Sequence, residues 1–191
     1  MIHTLVSAYT PGEQLSLELT PDGKRGFLAE GATIVVLNMA VTPPVEIARH
    51  QMPDCQPLAL RYFHQAAGEA YLFIAGGALG VWRLTLCSTW FNSPPVLCLA
   101  DWGDLLVQAP LEYGYLERKR CVDVEILETS TGPVLFALFA ASSNPSESSG
   151  GPTELRAYTW TSTTATQIAA FTFGSATSPV EVGTSLAVDP A

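Results

Sequence analysis

The sequence predicts an all-β fold. Its apolar runs are short, alternating or β-branched, and clusters of Gly, Pro, Ser or Asn bound them. No long window keeps apolar residues at i, i+3, i+4 and i+7 with caps at both ends, so helices are not expected. The chain is long enough, at 191 residues, for one domain with a sizeable core. Its hydrophobic fraction of 48% and charged fraction of 14% describe a folded protein.

The first unit can be followed strand by strand. Leu15, Leu17 and Leu19 alternate with Ser16 and Glu18, which predicts one apolar face and one polar face. Thr20-Pro21-Asp22-Gly23 then reverses the chain. Pro presets φ, Asp bonds back to its own backbone, and Gly accepts a positive φ. "RGFLAE" returns, Gly31-Ala32 turns again, and "TIVVLNM" is the third strand. Residues 41–44 break the pattern and "VEIARH" is the fourth strand. Four short antiparallel strands in this space make one blade of a β-propeller.

Such a blade cannot bury its faces alone, so the plan should recur. It does. Ala29, Gly31, Ala32 and Val35 of "AEGATIVVLN" return as Ala75, Gly77, Ala78 and Val81 of "AGGALGVWRL". "LSLEL" returns as "PLALRY", and "TPPVEIA" as "SPPVLCLA". A looser third copy runs through "VDVEILETSTGP", "VLFALFAA", "TELRAYTW" and "ATQIAAFTF". Its polar interruption, residues 142–152, reads as an exposed loop. Part of the long link around "DWGDLLVQAPLEYGYLERKR" reads as an excursion or a short helical turn.

The expected units are therefore 13–52, 55–102 and 121–174, in a single partial propeller, and 184–191 opens a further blade at Leu186-Ala187-Val188. "TLVSAYTPG" reads as the outer strand of a blade whose other strands are absent. Propellers close with roughly four to eight blades. The expectation is thus a fragment of a longer propeller, or a chain completed by a partner or by self-association, with apolar faces exposed at both ends.

"LELTPDGKRGFLAEGATIVVLNMAVTPPVEIA" resembles the repeats called YVTN and LVIVD, with Leu37-Asn38 where such repeats often carry Asp. "GVWRL" is similar to the end of a WD repeat, with Arg83 where Asp is usual. The likeness covers Thr4 to Ala48 best, Pro57 to Ala100 less well, and the rest weakly. The resemblance implies a propeller but no single activity, because propellers host scaffolds, lactonases, dehydrogenase subunits and surface proteins. The leading expectation is a binding or scaffold module that meets a protein or small ligand through its loops. The alternative is part of a propeller enzyme, a lactonase-like hydrolase or a quinoprotein-type dehydrogenase subunit. A plain all-β sandwich is the third reading.

Several function classes are disfavoured. A net charge of −9 with nine Lys and Arg offers little to phosphate backbones. The basic run Arg118-Lys119-Arg120, near Glu112 and Glu117, reads as a solvated face. No apolar stretch approaches the ~20 residues of a membrane-spanning helix. The opening "MIHTLVSAYT" lacks the basic and apolar regions of a signal peptide and reads as the inside of a longer frame, which leaves the compartment open. Cys55, Cys87, Cys98 and Cys121 form no C-x-x-C pair and read as small buried residues, with a Cys87–Cys98 bridge left open.

No catalytic set stands out. His3, His50 and His64 have no local carboxylate partner, and no nucleophile elbow, phosphate loop or dinucleotide fingerprint occurs. No metal or cofactor is expected. The one local candidate is "LADWGDLL", where Asp101 and Asp104 flank Trp102 and Gly103 in a loop after an outer strand. Two carboxylates beside an indole suit a cation or polar ligand. The competing and favoured reading is a turn in which Trp102 packs between blades. Trp82, Trp90 and Trp160 read as packing residues between sheets.

Overall fold

The turn at Pro21 is built from side chain and backbone together. Gly23 N donates to Thr20 O at 2.8 Å, and Gly23 takes a φ of 67° that a residue with a Cβ resists. The Thr20 hydroxyl donates to Asp22 Oδ1 at 2.7 Å and accepts from Arg25 N at 3.1 Å. Lys24 N donates to Asp22 Oδ1 at 3.0 Å. This closes an antiparallel hairpin between β1 (Ser16–Leu19) and β2 (Arg25–Glu30). The sheet continues in order through β3 (Thr33–Asn38) and β4 (Val45–Gln51). The computed structural model describes residues 16–52, 55–65, 69–86, 103–111, 119–140, 153–161, 164–173 and 185–187.

The second sheet holds β5 (Ala59–His64), β6 (Ala70–Ala75), β7 (Gly80–Leu86) and β8 (Asp104–Gln108), in that order. Its outer strand departs from expectation. "SPPVLCLA" lies outside the described residues, and the partner of β7 is "DLLVQ", within the stretch expected to link the second unit to the third. Gly80 allows this approach: a Cβ there would lie 2.0 Å from Val107 O. The second sheet thus extends to Gln108, beyond the limit at 102 read from the repeat.

The third sheet holds β9 (Arg120–Thr129), β10 (Gly132–Ala140), β11 (Thr153–Trp160) and β12 (Ala165–Phe173), all antiparallel neighbours. Its strands fall where the third copy predicts them. The described fold is all-β: three four-stranded antiparallel sheets with no helix among the described residues. Each sheet is blade-like, and the set is consistent with a partial propeller.

β5 lies between β1 and β9, so the first strands of the three sheets run side by side. One core sits between the first and second sheets, with Phe27, Ile34 and Val36 against Leu60, Leu72 and Leu84. A second core joins the second and third sheets, with Phe73 and Val81 against Val124, Leu135 and Phe139. Trp160 meets Phe73 and Phe63 edge-on there, with ring centroids 5.1 and 5.8 Å away. Trp82 packs against the first core, while Trp90 lies outside the described residues. Cys55 and Cys121 are buried free thiols, as expected of small core residues, and burial pushes Cys55 up to about 11. Cys87 and Cys98 lie outside the described residues.

Leu17 and Leu19 form the apolar face of β1 and are 37% and 40% exposed. It is Ser16 and Glu18 that turn toward the second sheet, where they bond to β5. Alternation fixes which residues share a face; the neighbouring sheet decides which face is covered. The equivalent apolar pairs, Leu60 and Tyr62 on β5 and Val124 and Ile126 on β9, pack against the preceding sheet. The third sheet is open on its far side, where Phe171 is 58% exposed.

The basic run reverses an expectation. Lys119 is 2% exposed, and its Nζ lies 2.6 Å from Glu154 Oε1. Glu154 also pairs with Arg156 at 2.6 Å. Burial raises the Glu154 carboxyl, but the bonds and charges of Lys119 and Arg156 outweigh it, and the group ends below its ordinary value. Arg120 is half-buried, and Arg118 lies outside the described residues.

Candidate binding cleft

Asp104 opens β8, so it stands on a strand and not in a loop. Its Oδ2 is 3.1 Å from Nη2 of Arg83, a side chain only 3% exposed. Arg83 also donates from Nη1 to Thr161 O at 2.9 Å and lies 5.3 Å over the Tyr71 ring. Asp104 therefore supplies counter-charge to a buried guanidinium between the second and third sheets. Asp101 and Trp102 lie outside the described residues. Among the described residues, no group of three or more His, Cys, Asp or Glu is placed to hold a metal ion.

The charged residues that do come together are on the first strand of each sheet. Glu18 pairs across its sheet with Phe27, Arg61 with Phe73, and Glu125 with Phe136. They occupy the same rung in the three sheets. Arg61 Nη1 lies 3.1 Å from Glu18 Oε2, and its Nη2 lies 2.6 Å from Glu125 Oε2. One guanidinium thus bridges all three sheets. Glu18 Oε1 also accepts from Tyr62 N at 3.0 Å. Burial pushes the Glu18 carboxyl up, and the Tyr62 and Arg61 interactions only partly offset this.

The sequence conceals this row because it alternates in sign and sits on strands. A search for like residues at equivalent loop positions passes over it. The signal lies in the register: a charged residue opposite a Phe in each first hairpin.

A related contact recurs two residues earlier. The Ser16 hydroxyl accepts from Leu60 N at 3.3 Å, and Asp123 Oδ2 accepts from Leu186 N at 2.6 Å. Ser16 and Asp123 sit two residues before Glu18 and Glu125. Leu186 therefore sits beside β9 much as Leu60 sits beside β1, and "SLAV" echoes "SLEL". Burial foremost raises the Asp123 carboxyl.

Where the first two sheets meet at the ends of β1 and β5, a cleft of about 340 Å³ opens. Thr20, Pro21, Asp22, Lys24, Arg25, Tyr62 and His64 line it. The turn supplies one wall and the end of β5 the other. The Tyr62 ring stacks on Phe27, with centroids 6.0 Å apart and planes at 18°. Burial, then the charge of Asp22, pushes the Tyr62 phenol up. The Thr20 hydroxyl and the Lys24 amide hold the Asp22 carboxyl below its ordinary value. His64 is exposed at the mouth, while His50 is buried on β4 and His3 lies outside the described residues. The volume is at the small end of the range for small-molecule sites, about 300–1,000 Å³. Comparison with models of protein families, with curated proteins and with solved structures finds no match to this chain.

Proposed function

We propose that this chain is a binding module of the β-propeller kind, related to the YVTN and LVIVD repeats, that holds a small ligand in the Thr20–His64 cleft. The observation that carries the reading is the cleft itself. It lies at the ends of adjacent first strands and combines donors, acceptors and an apolar wall in one concave site. Its walls are fixed before a ligand arrives. The Thr20–Asp22–Arg25 bonds hold the turn, and the Phe27 stack supports Tyr62. Preorganisation of this sort lowers the ordering cost of binding. The open faces at Leu17 and Phe171 fit further sheets of the same repeat.

The test is a fragment screen on isotope-labelled protein by two-dimensional NMR. Ligands whose shift changes centre on Thr20, Lys24, Tyr62 and His64 support the reading. A screen in which every binder maps elsewhere, to the Arg83–Asp104 side for example, overturns it.

A further inference from the structure

Seven of the chain's nine cations fall into two groups. Arg49, Arg61, Arg83, Lys119 and Arg156 each lie within ion-pair distance of a carboxylate. Lys24 and Arg25 do not: among the described residues, no carboxylate lies within 4.0 Å of either charged group. Both line the cleft. The chain has 18 acidic residues for nine basic ones, so unpaired cations side by side run against its composition.

Arg25 shows the imbalance most clearly. Its Nη1 donates to Lys24 O at 3.2 Å and to Asn38 Oδ1 at 3.3 Å, both neutral acceptors. Its Nε is buried and has no acceptor. An unsatisfied buried donor on a charged group is costly, so the guanidinium is not fully compensated inside the fold. Asp22 is the cleft's own carboxylate, but its Oδ1 is held by the Thr20 hydroxyl and the Lys24 amide. With Lys24 and Arg25 against Asp22, the cleft is locally positive in a chain of net charge −9.

We propose that the cleft's ligand is a small organic anion, carrying a carboxylate or phosphate that Lys24 and Arg25 receive while its apolar part lies along Pro21 and Tyr62. This rests on the binding-module reading and narrows it to a ligand class. A planar guanidinium beside an ammonium suits an oxyanion of either type.

The experiment titrates labelled protein with benzoate and phenyl phosphate, and with neutral benzamide and benzyl alcohol as size-matched controls. Both anions should shift the resonances of Lys24, Arg25 and Tyr62 while the neutral controls do not; the ratio of the two affinities tells carboxylate from phosphate. Arg25→Gln should weaken anion binding roughly tenfold and Lys24→Gln about two- to fivefold. Arg25→Lys, which keeps the charge, should lose less than Arg25→Gln. Should Arg25→Gln fail to fold, the exposed Lys24→Gln variant and a rise in NaCl from about 20 to about 200 mM carry the test, since both should weaken binding. Neutral controls that bind the cleft as well as the anions overturn the anion assignment and leave the binding module standing. Anion binding indifferent to Lys24→Gln, Arg25→Gln and salt also overturns it. If neither these probes nor the fragment screen finds a cleft ligand, both readings fall.

Discussion

Replacing Arg61 with methionine keeps much of the side chain's length and removes its charge. Three contacts are lost: Nη1 to Glu18 at 3.1 Å, and Nε and Nη2 to Glu125 at 2.8 and 2.6 Å. The carboxylates of Glu18 and Glu125, both largely buried, are left facing each other without a cation. Breaking a fully buried pair costs about 3–5 kcal/mol. The Arg61 side chain is 32% exposed, so water screens part of this, and we expect a loss of about 2–3 kcal/mol near pH 7. The loss should depend on pH. Glu18 already sits above its ordinary value of 4.5, so it favours the folded state at low pH and loses that contribution as pH rises through its folded value. Removing Arg61 raises that carboxyl further and steepens the dependence. The deficit of Arg61→Met relative to the parent should therefore shrink as pH falls from about 7 toward about 4.5. Urea unfolding followed by tryptophan fluorescence at both pH values measures it. A variant within about 0.5 kcal/mol of the parent at neutral pH, or a deficit unchanged by pH, would refute the bridge between sheets.

Glu154→Gln leaves the buried Lys119 ammonium without this carboxylate and should cost about 2–3 kcal/mol near pH 7. Glu154 lies below its ordinary 4.5, so its stabilisation is lost as pH falls through the folded value; parent and variant should converge in acid urea melts. Phe73→Ala, between the second and third sheets, should cost about 3–5 kcal/mol, whereas Phe171→Ser on the open face should cost under about 0.5. Chemical denaturation of the two variants compares them directly. The Cys55 thiol, pushed up to about 11 by burial, and the fully enclosed Cys121 should resist iodoacetamide in native protein and react once urea unfolds it, as read by peptide mass spectrometry.

Much of the architecture was legible because turn chemistry and strand period are local. Pro21-Asp22-Gly23 and the short apolar runs place the first sheet strand by strand, and Gly132-Pro133 marks the third-sheet hairpin. What failed depends on neighbours distant in sequence. The alternation of Leu17 and Leu19 defines an apolar face but does not say whether a neighbour covers it, and no described sheet does. Lys119 looks solvated beside Arg118 and Arg120 until β11 brings Glu154 to it. The outer strand of the second sheet was misplaced because two apolar runs follow β7 and the local pattern does not tell which pairs with it; the later one does, in close approach to Gly80. The candidate site was the least legible part. Asp104 stood out through its neighbours Asp101 and Trp102, yet its carboxylate serves Arg83. The cleft hid inside the turn motif, because residues that specify a reversal also form a wall once β5 arrives.

The second sheet is sealed on both sides, and every residue of β6 is buried. Melting the first or third sheet breaks one interface between sheets; melting the second breaks two. The middle sheet is thus the keystone of cooperativity. Partial openings begin at the outer sheets, and the amides of β6 exchange with solvent last, only when the whole array comes apart.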